Sequence, residues 1–171
     1  LHEQMDKSWK ADPNGWVTVL KKARKAGIKT NLEMCSLPAQ RLVEVVTPCL
    51  GHLDYLIIND FEVAALAQRP VRHDEDVDPL ECLANAKDVF DRGSMELLVV
   101  HFPRGAIAMQ RGADPLVTPS AAVPKGAIAG SNGAGDAFAS GILYGMHRGW
   151  PLRDALQLAH ASAAASMRHI G

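Results

Sequence analysis

The sequence predicts an α/β fold: a mainly parallel sheet covered by helices, with a β-hairpin edge. Three observations predict it. Helical and strand-like runs alternate through the first hundred residues, the pattern that builds parallel sheets with helices packed on them. Apolar runs at 106–110 and 116–118 flank a turn at Arg111-Gly112-Ala113 and suggest a hairpin. A cluster of glycines and small residues at 130–135 opens directly into a helix, which turns free backbone N–H groups toward one point.

The elements follow in order. Asp12-Pro13 reads as a helix start, an N-cap residue before a proline at the first helical position. Trp16, Val17, Leu20 and Ala23 then recur at helical spacing, and Gly27 ends the run. Residues 28–34 read as a short strand. A second helix begins near Leu37-Pro38 and carries Leu42, Val45, Val46 and Cys49 on one face. Residues 53–58 form a buried strand, followed by a helix over 60–67. Residues 69–78 are polar and read as a loop, the acids from Asp74 to Asp78 facing solvent. A helix over 79–92 stops at Gly93, and 97–101 is a third apolar strand. Two final helices, 135–146 and 152–168, are separated by Gly149-Trp150-Pro151.

The 171 residues suit one domain, with 47% hydrophobic and 22% charged residues. Eighteen basic and nineteen acidic residues leave a net charge of −1 with no single-sign stretch. That argues against a nucleic-acid or membrane-surface partner. Cys35, Cys49 and Cys82 are far apart and lack Cys-x-x-Cys spacing, so a reduced, cytoplasmic location fits better than a disulfide framework or a zinc site. No apolar run approaches the ~20 residues of a membrane span, and the start lacks a signal-peptide pattern. The polar opening at Leu1 and the end at Gly171 read as cuts, so a part of a larger protein is expected. His2, His52, His73, His147 and His169 lack ligand spacing, and Trp9, Trp16 and Trp150 are isolated packing residues.

The most informative stretch is Gly130-Ser131-Asn132-Gly133-Ala134-Gly135-Asp136-Ala137-Phe138. Glycine lets the backbone approach a ligand and adopt positive φ. A helix opening there makes an anion site. A carboxylate at the same point suggests a reacting hydroxyl between it and a bound phosphate, with Asp136 taking the proton. The bland alternative is a helix N-cap with an acid in its first turn, present for stability alone. No Gly-Lys-Ser/Thr of a Walker loop occurs, and Phe138 stands where a dinucleotide fingerprint needs its third glycine.

Gly133-Ala134-Gly135-Asp136, followed by Ala137-Phe138-Ala139-Ser140-Gly141, resembles the second signature of the PfkB/ribokinase family of carbohydrate kinases. The resemblance implies a ribokinase-like three-layer α/β/α fold and makes Asp136 the general base. It makes the N–H groups of Gly133, Ala134 and Gly135 the anion hole for the transferring phosphoryl group. Asn59-Asp60-Phe61-Glu62 resembles the family's N-x-x-E motif, in which Asn59 and Glu62 help hold Mg2+ and phosphate, mostly through water. By itself that stretch also reads as a strand-end turn with an N-cap. Residues 97–105 resemble the strand ending in T-x-G-x-x-G that borders the nucleotide, with His101 in place of the usual Thr or Ser and Gly105 kept. Asn132 and His160 join the nucleotide side, His160 standing where an asparagine is common. Glu33 is a further candidate to face the cleft. Gly130 stands where the signature usually has aspartate, which puts K+ activation in doubt.

The resemblance thus implies the C-terminal, nucleotide-binding and catalytic part (1–171) of one kinase domain, without the N-terminal part and lid. It implies transfer of the ATP γ-phosphate to a hydroxyl of a sugar or related small molecule. The alternatives are a nucleoside or vitamin-precursor kinase of the same mechanism and a non-catalytic nucleotide-binding module. The expected partners are ATP, Mg2+ and a small-molecule acceptor, with a homodimer allowed.

Overall fold

The computed structural model describes residues 2–34, 37–70 and 77–169. Cys35, His73 and the acids at 74–76 lie outside the described residues, as does most of the loop expected over 69–78. The chain runs α1 (Gly15–Lys25), β1 (Asn31–Leu32), α2 (Ala39–Val46), a 3-10 helix (Thr47–His52), β2 (Tyr55–Asn59), α3 (Asp60–Leu66) and α4 (Pro79–Arg92). It continues through β3 (Leu97–Phe102), β4 (Gly105–Gln110), β5 (Leu116–Pro119), a 3-10 turn (Lys125–Ala127), α5 (Ala134–His147) and α6 (Leu152–Ser166). The strands lie in the order β1-β2-β3-β4-β5; β1, β2 and β3 are mutually parallel and β4 runs antiparallel to β3. The chain divides into two compact units, Leu1–Val117 and Thr118–Gly171; each is taken by itself.

In the first unit, α1 starts two residues later than the Asp12-Pro13 pair predicts. Asn14 is the N-cap, accepting from Val17 N at 2.9 Å while its own amide donates to the Val45 carbonyl at 2.9 Å. It is only 2% exposed, so one buried side chain both starts α1 and ties it to α2. Asp12 is spent instead on Thr18 Oγ1 at 2.6 Å and Lys21. The same dipeptide does start a helix at Asp78-Pro79, where the Asp78 carboxylate accepts from Leu80 N at 2.9 Å. The expected stop at Gly27 holds. Gly27, at φ 74°, donates to Arg24 O, and Ile28 donates to Ala23 O, the paired bonds of a Schellman turn.

The predicted first strand shrinks to Asn31–Leu32, which pair with Tyr55 and Leu56. The Thr30 carbonyl accepts from Tyr55 N at 2.9 Å, but the Thr30 N–H donates to the buried Asp54 carboxylate at 2.8 Å and its hydroxyl donates there at 2.9 Å, so the strand begins at Asn31. Cys49, expected on the second helix, sits in the 3-10 helix that follows it. Pro48 has no N–H to continue an α-helix.

One face of the sheet carries Leu56, Ile58, Leu98, Val100, Ile107 and Met109 into a core shared with Leu42 and Val46 of α2, Val63 and Leu66 of α3, and Ala86 and Val89 of α4. Leu97, Leu98, Val99 and Val100 are all fully buried, so both faces of β3 are covered, as an inner strand of an α/β sheet requires. Arg111 closes the far end of α4. Its guanidinium lies 3.9 Å over the Phe90 ring and donates to the carbonyls of Phe90 at 2.7 Å, Gly93 at 2.8 Å and Met95 at 3.1 Å. That satisfies carbonyls the helix leaves open. The tight antiparallel hairpin is β3–β4, turning at Pro103-Arg104 with Phe102 opposite Gly105. The two strands the sequence reading joined around Arg111-Gly112-Ala113 are present as β4 and β5, neighbours in the sheet; the tighter β3–β4 turn before them was not read.

In the second unit, α5 and α6 form an antiparallel helix pair. A Cβ on Gly141 would lie 2.5 Å from Ala159 Cα, and one on Gly145 would lie 2.5 Å from Ala155 Cβ. The two helices therefore meet backbone to backbone, one helical turn apart along α5. Gly149, at φ 68°, donates to Met146 O, and Trp150 donates to Gly145 O. This second Schellman turn stops α5, and Pro151 then leads into α6. Gly141→Val should force the helices apart and cost about 1–3 kcal/mol, the usual penalty of overpacking. Gly51→Ala, whose Cβ would meet nothing within 4 Å, should be neutral or slightly stabilising. Urea midpoints of the two variants check this contrast.

Candidate active site

The sites read from the sequence fall on both units. In the first, Asn59 ends β2 and is the N-cap of α3. Its side-chain oxygen accepts from Glu62 N at 2.8 Å, and its own N–H donates to Glu62 Oε2 at 2.9 Å. The N-x-x-E stretch is thus a complete capping box, so the strand-end N-cap reading is realised in the structure. The box also fixes where the Glu62 carboxyl points. The register pairs Asn59 with His101, which places His101 beside it at the carboxyl ends of β2 and β3. Open parallel sheets bind ligands at those ends. Gly105 is buried and opens β4 just past the hairpin turn.

Glu62 is only 7% exposed. Burial pushes its carboxyl up from the usual 4.5 to about 7, and the nearby charges of Glu33 and Asp60 add to the shift. The Asn59 N–H offsets part of it. Asp60 is also raised, chiefly by burial. Glu33 is held by Asn31 Nδ2 at 3.0 Å. Three carboxyls therefore influence one place at the end of β1, β2 and the start of α3. Asn59 Oδ1 and one Glu62 oxygen are spent on the cap, and the described residues hold no group of three or more metal-ligating side chains. Hard oxygen donors that leave water in place suit Mg2+, so the residues present fit that ion.

In the second unit, Ser131 and Asn132 lead into Gly133, the N-cap of α5 at φ 77° and ψ −3°. A Cβ there would meet nothing nearer than Ser166 Oγ at 3.9 Å, so the demand for glycine comes from the left-handed backbone, not from crowding. The Ala134 N–H is already bonded to the Ser131 carbonyl at 3.2 Å. The Gly133 and Gly135 N–H groups make no hydrogen bond to another described residue. Of the three amides read as an anion hole, two are open donors and the third is engaged. The turn is held from behind: the N–H groups of Ala129 and Gly130 both point at the Met167 carbonyl, at 2.8 and 3.4 Å.

Asp136 lies in the first turn of α5 and is exposed. Its carboxylate has no hydrogen bond or ion pair with another described residue. His160, on α6, is half-buried, 2.9 Å from Thr118 Oγ1 and edge-on to Phe138 with ring centroids 5.2 Å apart. Burial lowers its pKa. Asn132 is exposed beside Gly133. The structure thus gathers Gly133, Ala134, Gly135, Asp136 and Asn132 at one helix start, and Asn59, Glu62 and His101 at one sheet edge. Sequence reasoning missed Thr118 and the Met167 carbonyl. A threonine in a short strand and a backbone oxygen leave no pattern to read.

The raised Glu62 carboxyl has a consequence for stability. Between pH 4.5 and about 7 the folded protein keeps a proton that the unfolded chain releases, so stability falls as pH rises through that window. Glu62→Gln keeps an oxygen for the Asn59 N–H and removes the charge. The variant should be more stable than wild type at pH 8 by about 1–3 kcal/mol, and the difference should shrink toward pH 5. Melting temperatures across this range check it.

Comparison with known proteins gives the arrangement its family. The model of the pfkB family carbohydrate kinases matches residues 6–171. ATP-dependent 6-phosphofructokinase isozyme 2 of Mycobacterium tuberculosis is 36% identical over 88 residues, 51% of this chain and 25% of that protein. Acarbose 7(IV)-phosphotransferase of an Actinoplanes species is 37% identical over 75 residues, 43% of this chain and 25% of that protein. Arabidopsis thaliana ribokinase, solved with ribose and ATP, superposes with a TM-score of 0.72 at 19% identity, covering 91% of this chain and 46% of that one. That likeness shows a ribokinase-like fold, and this chain spans about half the length of the solved relative. With the G-A-G-D turn at the start of α5 and the capping box at the end of β2, the match over 6–171 makes this chain a member of the pfkB family of carbohydrate kinases.

Proposed function

We propose that this chain is the C-terminal, ATP-binding and catalytic part of a single kinase domain. The whole protein then transfers the γ-phosphate of ATP to a hydroxyl of a carbohydrate or related small molecule. The observation that carries the reading is the exposed Asp136 carboxylate, unpaired among the described residues, in the same helical turn as a left-handed glycine and two open amides. A first-turn acid also stabilises a helix through its open amides, and the match to a carbohydrate-kinase family over residues 6–171 supports the catalytic role for Asp136. The names of the curated relatives, a phosphofructokinase and an acarbose phosphotransferase, support a sugar acceptor.

In this reading Asp136 accepts the proton of the acceptor hydroxyl as its oxygen bonds to the γ-phosphorus. The bond from that phosphorus to the β–γ bridging oxygen breaks, and ADP leaves with the electron pair. The amides of Gly133 and Gly135, at the positive end of α5, stabilise charge on the phosphoryl oxygens. The Ala134 N–H joins them by exchanging the Ser131 carbonyl for a phosphoryl oxygen. Asn132 borders the same turn, and His101 and Gly105 lie toward the nucleotide. Glu62 and Asn59 would hold Mg2+ through water; that ion, when bound, neutralises phosphate charge. No described helix is long and apolar enough to cross a membrane, and a cytoplasmic enzyme is consistent with the free, buried Cys49 and Cys82.

ADP release by the intact protein, with ATP, Mg2+ and a panel of sugars, sugar phosphates and nucleosides, tests the reading beside Asp136→Asn. The variant should lose about 10²- to 10⁴-fold in turnover, the usual worth of a general base, and keep ATP binding. Release with nucleosides alone would make the protein a nucleoside kinase. ATP binding without release from any acceptor would leave a non-catalytic nucleotide-binding module.

A further inference from the structure

The Asp136 carboxylate has no described partner, so its direction is inherited from α5. What fixes the rotation of α5 about its axis therefore fixes the Cα–Cβ direction from which the carboxylate reaches. Phe138, two residues on, is 3% exposed, and its ring meets the His160 imidazole at 72° with centroids 5.2 Å apart. That is an edge-to-face contact of the favoured kind. The imidazole is in turn held by Thr118 Oγ1 at 2.9 Å from Nε2. Thr118 is 9% exposed. Ala159, the residue just before His160, backs Gly141 so closely that a Cβ on Gly141 would lie 2.5 Å from Ala159 Cα, which holds α6 close against α5. Desolvation is the sole cause of the lowered His160 pKa, and no charged group faces the ring among the described residues.

We propose that His160 is a positioning residue that acts through Phe138 to set the first turn of α5, and with it the aim of Asp136. Thr118 holds the imidazole plane, the imidazole holds the Phe138 ring, and Phe138 holds the helix. This goes beyond the resemblance, which placed His160 on the nucleotide. It rests on the kinase reading for its effect on turnover, though the mechanical coupling does not. A misplacement of about 1 Å at a reacting group costs on the order of 10²-fold, so a small rotation of α5 is enough to be read in kcat.

The test uses Thr118→Val, Thr118→Ser and His160→Gln in the intact protein, with two readouts: kcat and KM for ATP, and amide exchange over residues 134–140. Thr118→Val removes the hydroxyl at nearly constant volume and should lower kcat about 3- to 10-fold, the worth of one neutral hydrogen bond. KM for ATP should hold within about twofold on the same scale. His160→Gln should lower kcat at least as much. Exchange in the first turn of α5 should quicken in both variants, and Thr118→Ser should restore both readouts. A rise in KM with kcat preserved would overturn the proposal and return His160 to the nucleotide. A lower melting temperature with kcat and exchange unchanged would overturn it as a merely structural contact. Exchange needs no turnover, so the two ideas fail separately. A wild type that releases no ADP sinks the kinase reading, while unchanged exchange in an active Thr118→Val protein sinks the positioning role alone.

Discussion

Two helices can touch backbone to backbone only where side chains are missing from the contact, and in α5 and α6 they are missing at Gly141 and Gly145 opposite Ala159 and Ala155. The G-A-G-D turn depends on that contact. The N–H groups of Ala129 and Gly130 hang the segment before Gly133 on the Met167 carbonyl at the end of α6, and Gly133 itself faces Ser166. The start of α5 and the end of α6 therefore form one rigid corner. Within it the left-handed Gly133 turns the chain, and the open amides and Asp136 follow from the helix geometry. Gly141 and Gly145 thus matter for the site although neither lies in it.

The other site is built on a different trade. Asn59 and Glu62 lock each other at the end of β2, which secures α3 and orients a carboxyl. That carboxyl is buried and close to two more acids. In its charged form it weakens the fold, because desolvation and like charge both oppose it. Groups that only stabilise are found at the opposite ends of the strands: Asp54 holding Thr30, and Arg111 capping α4 with three carbonyl bonds. Charges there are paired, and at the carboxyl ends they are crowded. Such perturbed carboxyls concentrate where a protein binds or reacts.

Much of this was legible before the structure. The G-A-G-D turn, the N-x-x-E capping box, the α4 boundaries and both glycine stops are local features, each set by a few consecutive residues. The misreadings came where a distant residue decides. Asp12-Pro13 and Asp78-Pro79 are the same dipeptide, yet only the second starts a helix, because Asn14 finds the Val45 carbonyl across the fold and takes the cap from Asp12. The first strand is short because Asp54, on the neighbouring segment, takes the Thr30 N–H. The β3–β4 hairpin was missed because Pro103-Arg104 is not a glycine-type turn, and the pairing comes from apolar strands in register.

The sequence by itself determined the alternation that makes an α/β sheet, the left-handed turn before α5, and the identity of the carboxylate and amides at its start. Backbone conformation and hydrogen-bonding capacity are properties of neighbouring residues, so they can be read along the chain. Only the tertiary structure decided which of those amides stay open, how strongly Glu62 is desolvated, and that His160 meets Thr118 and Phe138. Those facts depend on contacts between residues up to 42 positions apart, and no periodicity or spacing encodes the environment that burial creates.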